Sequence, residues 1–280
     1  MSASGAGPAV PGLVCAFAVT RTPPDPAGLA AARGHEEGGA LRVLRAGDLC
    51  LIVQDVPAAL FGEEALTERL NRPEDLERCA RAHHRGVEAA AGRGPVVPLP
   101  MATLYRGDRT AERAVAARRP VLDTLLDRLR DRTEWAVKVH AADAAPGAPT
   151  DTGPSAGPGS GGRAYLSRAS ARRRERQGAH GRALAEAEAV DAALRCHAVA
   201  ATRHRPQSER LTGRRAPQLL NTAYLVEDAR RAGFTAALAR FTADGPHPAV
   251  RVEASGPWIP YSFARWDEDP RPGPDQETPS

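Results

Sequence analysis

Residues 141 to 162 contain no Val, Ile, Leu, Met or aromatic side chain; they are Ala, Gly, Pro, Ser, Thr and two Asp. Such a stretch has nothing to bury that would offset the entropy of ordering it. It is expected to be a flexible loop with an r.m.s. span of roughly 25 Å, so ordered structure must come from the flanks. Just before it, Thr133–His140 alternates cleanly, with Trp135, Val137 and Val139 on one face and Glu134, Ala136 and Lys138 on the other. That period of two predicts a strand with one buried face. We place a domain boundary near residue 131, ahead of this strand, which makes 141–162 an insertion loop inside a second domain. A boundary at the loop itself is an alternative that composition leaves open.

The first half alternates strands and helices. Leu13–Thr20 is an apolar run that suits a buried strand. Leu41–Leu44 and Leu49–Val53 flank the turn signal Ala46-Gly47-Asp48 and predict a hairpin. Glu74–Ala91 is amphipathic, with Leu76, Cys79, His83, Val87 and Ala90 recurring at helical spacing behind Pro73. Val96–Thr103 is extended by its two prolines. Thr110–Arg130 is helical, with a kink or restart at Pro120. After the loop comes a long helix from Arg163 to about Arg203, whose second half sets Leu184, Ala187, Val190, Leu194 and Ala198 on one stripe. Gln218–Val226 follows as a strand, Ala229–Thr242 as a helix and Ala249–Ala254 as a strand. The fold class is α+β with an N-terminal α+β domain over 12–131 and a ferredoxin-like α+β domain over 132–264. An acidic, Pro-rich tail over 265–280 is expected to be disordered.

The 280 residues carry 38 basic and 34 acidic side chains, and the one lysine is Lys138. A net +4 does not by itself argue for nucleic acid. Met1–Pro11 has no basic region before an apolar run, and the longest apolar runs fall far short of a membrane span. Cys15, Cys50, Cys79 and Cys196 form no C-x-x-C pair and suit reduced, mostly buried thiols. The expectation is a soluble, cytoplasmic protein.

No catalytic constellation stands out, and no cofactor or metal is expected. Gly157–Gly162 spells G-x-G-x-x-G, but it joins no strand to a helix, which the phosphate-binding version requires. Cys79, His83 and His84 share one helical turn, yet zinc wants three or four ligands, so His83 suits a packed helix residue. Arg163–Arg215 holds 13 arginines against five acids. Beside a ferredoxin-like sheet this invites RNA binding as the rival reading. Aromatics are only 4% of the chain and no RNP1-like stretch occurs. A solvated helix face, or a surface docking acidic protein, is the better account.

One segment exceeds what composition explains. Gly256-Pro257-Trp258-Ile259-Pro260-Tyr261-Ser262-Phe263 resembles the closing G-P-W-P-P-Y-S-F motif of the gas vesicle protein L/F (GvpL/GvpF) family. Glu134–Val139, with Trp135 and Lys138, resembles that family's E-W-G-V-K-V strand; Asn221–Val226, with Tyr224, resembles its N-x-A-Y-L-V strand. Gly162–Leu166, with Tyr165, is similar to its G-x-x-Y-L helix entry. His83/His84 with Val87, followed by Val97-Pro98-Leu99, matches its H-x-x-V and V-x-P-L pairing. Pro100-Met101-Ala102-Thr103 departs from the pattern, standing where R-F-G-T is usual. The resemblance implies a non-enzymatic accessory protein of gas vesicle formation with two α+β domains, the second a modified ferredoxin fold. It would bind the small hydrophobic shell protein and other accessory proteins during vesicle nucleation or growth, and would be cytoplasmic and gas vesicle-associated. The motif residues above are then structural or interface positions. Pro257 and Pro260 are expected to turn the chain off the sheet edge, with Trp258, Tyr261 and Phe263 packed as a cluster, core in preference to a shell-contacting patch.

Overall fold

The structure, a computed structural model, describes residues 12–142, 161–205, 217–242 and 248–265, without the side chains of 161–166, 168 and 169. Most of the expected loop, the G-x-G-x-x-G match, the side chain of Tyr165 and nearly all of the tail therefore lie outside the described residues. The described chain divides into two units, 12–132 with 259–265, and 133–258. Residues 259–264, expected with the second domain, thus group with the first.

In the first unit the order is β1 (Leu13–Thr20), α1 (Pro26–Ala31), β2 (Arg42–Ala46), β3 (Leu49–Val56), α2 (Ala58–Phe61), α3 (Glu63–Leu70), α4 (Pro73–Ala90), β4 (Val96–Tyr105), α5 (Asp108–Ala117) and α6 (Arg119–Leu129). The sheet order is β2-β3-β1-β4, with antiparallel pairing throughout. Both faces are covered, by α4 on one side and α5 with α6 on the other, which is why β1 and β3 read as nearly unbroken apolar runs. Gly47 takes φ +69 in the two-residue hairpin loop between Ala46 and Leu49, where a mirror-image turn needs glycine. The helix break falls at Arg118, one residue before α6, and Pro120 sits in its first turn, where a missing N–H costs nothing. Leu76, expected on the buried stripe of α4, is exposed; the stripe is Cys79, Ala82, His83, Gly86, Val87 and Ala90. The short helices α1 to α3 had no distinct sequence signal.

The second unit contains β5 (Arg132–Ala141), α7 (Gly161–Arg195), β6 (Ala200–Arg203), β7 (Gln218–Glu227), α8 (Arg231–Thr242) and β8 (Val250–Trp258). Its sheet order is β6-β7-β5-β8. Counted along each unit, both sheets run 2-3-1-4, so the ferredoxin-like order expected of the second is present in the first as well. Four expectations need correcting here. The long helix ends at Arg195, and residues that were assigned to it form β6, a four-residue edge strand too short to show a period. Leu184 is exposed; the buried stripe of α7 holds Ala187, Val190 and Leu194 as expected, but Ala183 takes the place of Leu184 at its start. Those residues pack on Val137, Val139, Tyr224, Val226, Phe234 and Val252.

The remaining two corrections concern the closing motif. The chain does not leave the sheet at Pro257; β8 continues to Trp258, which pairs with Glu134. β8 is an edge strand, where a missing proline donor is tolerated, and Gly256 and Pro257 form a bulge opposite Trp135. Nor do the three rings form one buried cluster. Phe263 is buried, whereas Trp258 is 47% exposed and Tyr261 36% exposed.

Candidate functional site

The motif residues of the second unit build its interior. Gly256 has φ +143, and a Cβ there would lie 2.9 Å from the Glu134 carbonyl oxygen and 3.0 Å from the Trp135 ring. The closing motif therefore packs backbone-first against the Trp135 strand, and only glycine fits. Trp135 lies 5.6 Å from the Phe234 ring, and Tyr224, fully buried, lies 5.7 Å from it on the same core. The Tyr224 hydroxyl donates to Asp191 at 2.6 Å, and Arg195 and Arg203 donate to the same carboxylate at 3.0 and 2.7 Å. Burial opposes ionisation of Asp191, but these three donors outweigh it and hold its carboxyl below the usual range. The Tyr224 phenol is raised well above its ordinary value, by burial first and then by Asp191. Lys138 is half-buried and faces Glu253 across the β5–β8 pair. Trp258, whose indole N–H donates to the Ser255 hydroxyl at 3.2 Å, and Pro257 are exposed.

In the first unit, segments far apart in sequence meet at one cleft. Between Pro98, opposite Ala18, and Thr103, opposite Ala16, β4 leaves the ladder, so Leu99–Ala102 bulge outward. Three features hold the bulge. The Leu99 carbonyl can only accept, so His83 donates its Nε2–H to it at 3.0 Å. The Thr103 hydroxyl donates to the Pro100 carbonyl at 2.7 Å. Ala102 takes φ +67, a left-handed conformation in the place where the resembled family pattern has glycine. His83 stacks on Phe17 at 5.6 Å, and burial lowers its pKa. It is the packed helix residue that sequence suggested.

The last segment completes the cleft. Ile259 packs on the first unit's core, Pro260 is buried, and Tyr261–Phe263 form a single 3₁₀ turn. Phe263 is buried with the Arg128 guanidinium 6.0 Å above its ring. His84 directs Nε2 to Glu88 at 3.3 Å, which leaves Nδ1 to accept the Tyr261 hydroxyl at 3.0 Å. Together Ala80, His83, Leu99, Met101, Tyr261 and Ala264 face a cleft of about 460 Å³. Its wall mixes apolar side chains with His83, His84, Tyr261 and Arg265, a build that can take an apolar group and orient it with a few polar ones. Pro100 and Met101, where this chain departs from the family pattern, are part of the wall.

Sequence reasoning singled out the pieces of this cleft and missed their convergence, since nothing local says that residue 261 meets residue 84. It also missed Gln54. That buried side chain accepts from the His35 N–H at 2.8 Å and donates to the carbonyls of His35 and Gly39 at 2.9 and 2.7 Å, pinning the loop ahead of β2. The signal was a lone amide inside an apolar strand, opposite a run of glycines. His35 lies between Phe17 and Phe61, and burial lowers its pKa to about 4.

The fold and the cleft define an α+β protein of two units whose sheets share one strand order. Residues 14–265 match the family model described as gas vesicle synthesis protein GvpL/GvpF, and the chain belongs to that family. It is 38% identical over 224 residues to gas vesicle protein L of Streptomyces sp. (strain CB03234), covering 80% of this chain and 82% of that one. Its fold is similar to the crystal structure of the gas vesicle protein GvpF from Anabaena sp. PCC7120 (TM-score 0.58, 13% identity, 91% of this chain and 96% of the other). GvpF from Microcystis aeruginosa is similar to the same degree (TM-score 0.56, 15% identity, 91% and 99% covered). The chain is thus a gas vesicle protein. No described helix is long and apolar enough to cross a membrane.

Proposed function

We propose that this protein is a non-enzymatic assembly factor that binds the small hydrophobic shell protein, and other accessory proteins, while the vesicle is nucleated or extended. The observation that carries this reading is the convergence of three family motifs on one open cleft whose wall includes Ala80, Leu99, Met101 and Ala264. The α4 histidines, the β4 bulge and the closing turn are more than 150 residues apart at their extremes, and the cleft needs all three. The apolar side chains of that wall would meet a hydrophobic partner, and Tyr261 and His84 would orient it.

The experiment is genetic. Deleting the gene, with any other GvpL/GvpF gene, from a vesicle-forming host should leave cells without vesicles, and restoring this chain should bring them back. Restoration with Met101→Arg, which fills the cleft with charge, should fail although the protein accumulates. Vesicles of normal number in the deletion strain would contradict the reading.

A further inference from the structure

Ser170–Arg182 in α7 is a stretch of helix that packs on nothing among the described residues. From Ser170 to Arg182 every side chain is exposed, and Ala183 is the first buried residue. At 1.5 Å per residue, the arm from Ser170 to Arg182 extends ~20 Å beyond the packed half. Several of its features oppose an isolated helix. Its first turn has no acidic residue to meet the positive end of the helix dipole. Arg172 and Arg176 are like charges one turn apart. Gly178 and Gly181 weaken the junction with the packed half by roughly 1 kcal/mol each relative to alanine.

The charge is lopsided as well. Arg172, Arg173, Arg174, Arg176 and Arg182 stand against Glu175. At 100° per residue they project around the whole circumference rather than along one stripe. Arginines of the first unit are matched: Arg21 holds Asp123 and Asp127, Arg42 holds Asp55 and Asp108, and Arg119 holds Asp48. Among the described residues no carboxylate pairs with the five arginines of the arm; Arg174 reaches only the Ser170 hydroxyl, at 3.4 Å.

We infer that this arm is a docking element for a concave acidic surface on a partner protein, which would supply the carboxylates that the helix lacks. Encirclement by charge fits a groove that closes around the helix, and guanidinium forks pair with carboxylates two bonds at a time. A nucleic acid would meet the same charge, but RNA readers add aromatic or amide side chains. The described arm offers Ser, Ala, Gly, Arg, Glu and His180, with Gln177 its one amide. The inference stands apart from the cleft and does not depend on what the cleft binds.

The test uses the full chain, a labelled glutamate-rich helical peptide and a labelled oligouridylate of equal charge, titrated near physiological salt. The peptide should bind, more weakly as salt rises. The variant Arg172→Gln/Arg173→Gln/Arg174→Gln/Arg176→Gln should lose at least about tenfold in affinity with an unchanged melting curve. The oligouridylate should bind no more tightly than the peptide. If the quadruple variant melts early, Arg173→Glu alone should still weaken peptide binding. No peptide binding, equal binding by variant and parent, or a preference for the oligouridylate would each overturn the inference.

Discussion

Ala102 is held at φ +67 by the bulge it closes, a conformation that costs an L-residue roughly 1–2 kcal/mol and glycine almost nothing. Ala102→Gly should therefore stabilise the first unit by up to about 1 kcal/mol, glycine's looser unfolded chain offsetting part of the relief. Chemical denaturation of the two proteins checks it, and a less stable glycine variant would mean that the bulge is not strained. His35 is a second local test. Its pKa is about 4 in the folded protein and near 6.5 unfolded, so the unfolded chain binds its proton more readily. The stability due to neutral His35 is complete above pH ~6.5 and is lost as pH falls toward 4, by at most about 3 kcal/mol. His83, also lowered by burial, adds in the same direction. His35→Phe should flatten the fall in melting temperature between pH 6.5 and 4; an unaltered slope would assign it elsewhere.

Among elements, β8 and α4 show what can be read from sequence. The Thr133–His140 alternation, the apolar β1 run and the α4 periodicity were legible because each buries a regular face, and regular burial writes a period into the chain. β6 was not, because four residues at a sheet edge bury too little to leave one. The end of β8 was misread because Pro257 looks like a terminator until the edge position and the Gly256 bulge are known. Gly256→Ala should be severely destabilising, by ~3 kcal/mol or more, since the added methyl meets the Glu134 carbonyl and the Trp135 ring. Trp258→Ala, two residues on, should barely move the melting temperature, because the ring is 47% exposed and lies outside the second unit's core cluster among the described residues. A large loss of stability at Trp258, or none at Gly256, would show the end of this strand to be wrongly understood.

Across the whole molecule, the family's motif residues divide into two sets that the sequence could not tell apart. Trp135, Tyr224, Gly256 and Phe263 are interior, and their replacement should act through folding. Trp258, Tyr261 and the bulge that carries Met101 are accessible. We propose that the cleft members of this second set, Tyr261 and the bulge, meet the partner, where a change should act on binding with the fold intact. The most direct measurement is capture of the shell protein. The tagged full chain is produced together with a gas vesicle shell subunit from the same host, and the subunit is quantified in the purified complex. The account predicts that the parent chain retains the subunit, and that Met101→Arg and Tyr261→Ala, with melting temperatures within a few degrees of the parent, release most of it. A parent chain that retains no shell subunit, or cleft variants that retain as much as the parent, would contradict it.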